Sequence, residues 1–166
     1  MPTQRTITVF QFMPTQRTIT VFQFSELSDK AKDKARDWFR QFALDPEWWD
    51  SVYEDAKTVG LIITEFDIYR GTIKGRLTTD AASCARRIIK EHGPYSDTAK
   101  LSREMLPTLY AERSDPDDLA KEFEQQLLER YLIMLRYEKD CLTSNESIDE
   151  SISANKYEFL EDGSRV

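Results

Sequence analysis

A chain of 166 residues with 40% hydrophobic and 32% charged side chains is long enough to bury a core without staples, and too apolar to be disordered. No run approaches the ~20 apolar residues of a membrane helix, and the first residues lack the continuous apolar stretch of a signal peptide, so a cytoplasmic protein is expected. The net charge of −7 is uneven, with −8 on residues 115–166 and +1 on the rest. That imbalance turns the C-terminal third away from non-specific nucleic-acid binding and towards solvation or a basic partner.

The segment MPTQRTITVFQF occupies Met1–Phe12 and again Met13–Phe24. An old repeat would have drifted wherever side chains face water, so residues 1–12 read as an artefact or an additional strand, and the working chain is expected to begin at Met13. Two copies are too few for a solenoid. Each contains RTITVFQF, a period-2 strand with apolar groups on both faces. Residues 13–166 are expected to form a single α+β domain.

Ser28 is an N-cap for a helix whose apolar stripe is Ala31, Ala35, Trp38, Phe39 and Phe42. Asp45-Pro46 predicts a second helix start, with Trp49, Val52, Tyr53, Ala56 and Val59 as its stripe and Gly60 as its stop. Two helices so briefly joined are expected to pack as a helix hairpin. Leu61–Tyr69 and Thr72–Leu77 predict an antiparallel hairpin, with Ile73 and Leu77 on one face of the return strand and Lys74 and Arg76 on the other. Thr79 or Asp80 caps the next helix, which ends at Gly93-Pro94.

A further helix from Ser96 is expected to break or kink at Pro107. Asp115-Pro116 opens the longest helix, to about Leu142, whose Leu127–Leu135 stretch is apolar over most of its circumference and so buried or covered. Thr143 with Glu146 suggests a capping box for a short last helix. The terminal KYEFLEDGSRV reads as a strand with an Asp-Gly turn, rejoining the sheet. The fold class is therefore α+β: a small antiparallel sheet of about three or four strands covered by several helices, one of them long and C-terminal. The Leu61–Leu77 hairpin is expected at the centre of that sheet, joined by Thr18–Phe24 and Tyr157–Glu161.

The chemistry-bearing residues form few constellations. Cys84 and Cys141 are too few and too far apart for a disulfide framework or a zinc site, and read as small core residues. His92, the single histidine, falls at a helix C-terminus with no cysteine close enough for a dyad, and reads as a boundary residue. Glu47, Asp50 and Glu54 are expected on one face of the second helix, without the further ligands that a metal or an acid–base pair needs. No catalytic residue, metal or cofactor is assigned.

Two surfaces remain. Trp48 lies about 100° off its helix stripe and serves either as core or as an interface anchor. The acidic series Asp117, Asp118, Glu122, Glu124 and Glu129 can imitate a phosphate track or dock onto an Arg/Lys-lined groove. Together with Glu47, Asp50 and Glu54 these are the candidate partner-binding residues. Lys74, Arg76, Arg86, Arg87 and Lys90 form an alternative patch able to meet phosphates.

The segments SELSDKAKDKARDWF, WWDSVYEDAKTVG, FDIYRG and ANKYEFLEDG, in that order, resemble a family of small proteins of phages, prophages and their hosts, labelled antitoxin of a toxin–antitoxin stability system. The resemblance covers the chain from about Phe22 onward; the duplicated N-terminus departs from it. It carries over no catalytic or binding residue. It implies a non-enzymatic inhibitor that neutralises a toxin, or blocks a bacterial defence complex as anti-CRISPR proteins do. The expected partner is a bacterial host protein or nucleoprotein complex, with homodimerisation open. A nucleic-acid-binding regulator using the basic patch is the alternative.

Overall fold

The computed structural model describes residues 1–10, 14–111 and 116–166. Its elements in chain order are β1 (Thr3–Phe10), β2 (Pro14–Gln23), α1 (Asp29–Arg40), α2 (Asp50–Val59), β3 (Leu61–Asp67), β4 (Thr72–Leu77), α3 (Ala81–Glu91), α4 (Asp97–Leu109), α5 (Pro116–Leu142), α6 (Asn145–Ala154) and β5 (Glu158–Phe159). The α+β class, the small antiparallel sheet and the long helix near the C-terminus are as the sequence predicts. The chain divides into two compact units: a sheet unit of Met1–Pro46 with Asp140–Val166, and a helical unit of Glu47–Lys139.

In the sheet unit the strand order is β1-β2-β5, all antiparallel. Ser28 caps α1 by accepting from Ala31 N at 3.3 Å. Ala31 and Ala35 of α1 meet Ile148 and Ile152 of α6 and Phe159 of β5 in one buried cluster. The turn after β5 needs glycine: Gly163 has φ +85°, and a Cβ there would lie 2.1 Å from Ala31 O. The last helix is capped by Ser144, which accepts from Ser147 N, and not by Thr143. Its first turn opens at Asn145, which puts Ser147 at the third helical position that the capping side chain must reach.

In the helical unit Val52, Ala56 and Val59 of α2, Leu61 and Ile63 of β3, four residues of α3 and the Phe123–Leu135 face of α5 form the core. The hairpin β3–β4 is a sheet of its own, and is not joined to β2 and β5 as expected. Its apolar side is occupied by helices instead: Gly75 lies so close to α5 that an added Cβ would meet Leu128 Cδ2 at 2.8 Å. A register shift between Ile63 and Glu65 leaves Thr64 as an extra residue. This bulge returns Phe66 to the core side that Leu61 and Ile63 occupy, where strict alternation would have sent it to the opposite face.

Three further expectations are corrected. α2 starts at Asp50, not Pro46, because residues 46–49 form a turn in which Asp50 N donates to Glu47 O. The expected helix hairpin gives way to other partners: α1 packs on α6, and α2 on β3 and α3. Pro107 sits within α4, which continues to Leu109. The Asp115 cap lies outside the described residues. Cys84 is buried as expected, with its thiol pushed up to about 12 by burial, whereas Cys141, in the last turn of α5, is exposed.

Candidate functional site

A cleft of about 370 Å³ opens in the helical unit between Asp55 of α2, the α3–α4 junction and Arg130, Ile133 and Met134 of α5. The junction places its groups through ordinary helix-end chemistry. His92 is the C-cap of α3, and Ser96 caps α4 by accepting from Ala99 N at 3.2 Å. Tyr131 points into the core from the apolar sector of α5 and, being buried, needs a partner for its hydroxyl. It donates to Asp55 Oδ2 at 2.8 Å.

His92 links these parts. Its Nε2 lies 3.3 Å from Asp55 Oδ2, an ion-pair distance at which the alignment falls short of a hydrogen bond. Its Nδ1 lies 2.6 Å from Thr98 Oγ1. Ser96 Oγ donates to Gly93 O at 2.8 Å, so towards Thr98 it can only accept. The Thr98 hydroxyl has two acceptors within reach, Nδ1 of His92 and Oγ of Ser96, and the direction of its bond to the imidazole depends on the tautomer. The imidazole holds the Asp55 carboxyl below its ordinary value, burial opposes this, and the Tyr131 hydroxyl assists. Burial, with Asp55 adding to it, pushes the Tyr131 phenol up.

Thr98, His92 and Asp55 have the residue types of a nucleophile, base and acid. Yet Thr98 is only 3% exposed, and its oxygen lies within hydrogen-bond distance of both His92 and Ser96, so its hydroxyl is engaged within the protein. The arrangement works as a latch joining α2, α3, α4 and α5, with the cleft as its open side. Among the described residues no group of three His, Cys, Asp or Glu is placed to hold a metal ion. No family model matches the chain, and neither a curated protein nor a solved structure matches it.

The residues singled out in the sequence lie elsewhere. Trp48 is half-buried, its ring 5.8 Å from those of both Trp49 and Phe66. Glu47 precedes α2, so it does not share a helix face with Asp50 and Glu54; all three are exposed, and Glu54 pairs with Lys57. On α5, Glu124 turns in to accept from Leu77 N at 2.9 Å, while Glu122 accepts from Gln126. Asp117 and Asp118 occupy the first turn, where negative charge suits the helix N-terminus. Glu129 is exposed.

In the basic set Lys74 pairs with Glu65 and Lys90 with Glu91, and Arg86 lies 5.2 Å over the Tyr110 ring. Arg76 and Arg87 are exposed. Two of the five charges, Lys74 and Lys90, thus have a carboxylate beside them.

Sequence reading placed His92 at its helix end but passed over Asp55, Thr98 and Tyr131. The available signal was Tyr131 itself: a phenol inside an otherwise apolar helix sector requires a buried acceptor.

Proposed function

We propose that the protein is a non-enzymatic binding protein that engages a bacterial protein or nucleoprotein complex stoichiometrically, in the toxin-neutralising or defence-blocking manner its resemblance to phage and prophage proteins implies. The observation that supports this reading is the composition of the surface around the cleft. Tyr95, in the loop whose Gly93 and Ser96 line the cleft, is 87% exposed; on α5, Ile133 is 49% and Tyr137 70% exposed. Large side chains of this kind, grouped on one unit, are what interface anchors are made of. At 100° per residue, Asp118, Glu122 and Glu129 fall on the side of α5 next to Ile133 and Tyr137. Acidic side chains, interspersed with Arg130 and Arg136, then border an apolar centre and suit a partner whose edge carries mainly basic groups.

The test is capture from bacterial lysate by the full chain and by the Tyr95→Ala/Ile133→Ala double variant. The wild type is expected to retain one protein or complex near one-to-one, and the double variant to lose affinity for it by about tenfold or more. Retention by both proteins alike, or no stoichiometric partner for the wild type, would overturn the reading.

A further inference from the structure

The first strand is a copy of the second. β1 and β2 pair antiparallel with Thr3 opposite Val21, Thr6 opposite Thr18 and Val9 opposite Thr15. Residue i of the first copy is identical to residue i+12 of the second, from Met1–Phe12 to Met13–Phe24. An antiparallel pair of identical strands is unchanged when the two are exchanged, so this ladder has a local two-fold axis, and the register puts the axis at Thr6/Thr18. Every backbone contact that β1 makes with β2 can therefore be made by β2 of another molecule. We propose that the edge of β2 covered here by β1 is a homodimer interface, which a chain beginning at Met13 fills with β2 of a second copy, and which the duplicated segment closes from within.

Among the described residues no other strand covers this edge, since β5 lies on the opposite side of β2. On its other side β2 pairs with β5 only at Phe22 and Gln23. Without residues 1–12, most of a ten-residue strand rich in Thr, Ile, Val and Phe would expose its backbone donors and acceptors, a condition that recruits another strand. The ends have room. In the same register the second copy's Phe22 falls opposite Pro14, so the two β5 attachment points stand eight residues apart, about 26 Å along the ribbon. The side chains agree as well: Arg5 pairs with Glu158 at 2.7 Å, and Arg17 is its counterpart in the second copy. A dimer thus regains that ion pair twice, as an isologous interface requires.

Residues 1–12 contribute no member to either buried cluster among the described residues, and β2 keeps β5 without them. The shortened chain therefore retains both cores. Sedimentation of the full chain is expected to give a monomer, and of the chain beginning at Met13 a dimer of micromolar affinity. Thr18→Lys separates this interface from any other. In the full chain the substituted side chain would face Thr6 and leave the monomer as it is. In the shortened chain it would face its own symmetry mate, and like charges directly opposite on a ladder repel, so the dimer is expected to be lost. A shortened chain that is folded by circular dichroism but monomeric would overturn the proposal. So would a dimer that survives Thr18→Lys, or a full chain that dimerises to the same extent.

Discussion

In the helical unit the β3–β4 hairpin turns Ile73 and Leu77 towards helices and leaves Glu65, Lys74 and Arg76 outside, whereas in the sheet unit β1 and β2 carry Arg5 and Arg17 as their only charges. Charged side chains on an exposed sheet discourage another strand from adding to it; threonines, isoleucine and valine invite one. Aromatic contacts serve both units: Trp48 lies edge-on to Phe66 at 5.8 Å in the helical unit, and Trp38 stands 5.2 Å from Tyr157 and 5.9 Å from Phe159 in the sheet unit. The helical unit in addition closes its hairpin with the apolar sector of α5. The first unit is thus protected by coverage, and the second depends on what pairs with its strand edge.

The largest test of this contrast is to hollow out each core in turn. Phe159 and Phe123 are both fully buried, in separate clusters, and truncation of either to alanine is expected to cost about 3–5 kcal/mol. Hydrogen exchange should place the loss locally, in α1, α6 and β5 for Phe159→Ala, and in α2, β3 and the middle of α5 for Phe123→Ala. Equal loosening of both sets of amides by either variant would show that the chain opens as one cooperative body, and the contrast would fail.

Local rules read well from the sequence where a single residue settles the outcome. Ser28 caps the helix it was expected to cap, Asp80 is the one of the two candidates that caps α3, and Gly60 ends α2 at φ +96°. What could not be read depends on distant partners. The bulge at Thr64 changes which residues face the core, and alternation alone does not reveal it. The hairpin forms a sheet of its own, and its packing on α5 is a contact over fifty residues away in sequence that leaves no local mark. The cleft was hidden for the same reason: Asp55, His92 and Tyr131 come from three helices, and only the need of a buried phenol for an acceptor hinted at their meeting.

A middle-sized effect is expected from the latch in the helical unit. Tyr131→Phe removes one of the two groups on Asp55 Oδ2 and should cost about 1 kcal/mol, the low end for a hydrogen bond to a charged group because Asp55 keeps 38% of its side chain in water. The pH dependence has a defined sign. A carboxyl held below its ordinary value gives stability that is present above its unfolded pKa of about 3.9 and lost as the pH falls through the folded value. Urea denaturation should therefore show the full gap between wild type and Tyr131→Phe at pH 7, narrowing below about pH 4. A gap that widens in acid would mean that the tyrosine acts by packing alone.

The smallest expected effect belongs to the charged face of the hairpin. Lys74 and Glu65 approach to 3.0 Å, but their side chains are 68% and 63% exposed; water screens the attraction, and ordering two long side chains offsets most of what remains. Lys74→Ala should change the stability to urea by less than ~0.5 kcal/mol, and that difference should shrink further in high salt. If the open face is guarded by charge, the consequence of losing Lys74 should appear in self-association and not in unfolding. Light scattering on the Lys74→Ala/Arg76→Ala double variant is expected to rise with concentration while its denaturation midpoint stays near the wild-type value. A midpoint that falls without added scattering would instead place these two residues among the contacts that hold the hairpin together, and the distinction between a covered and an uncovered sheet would need another cause.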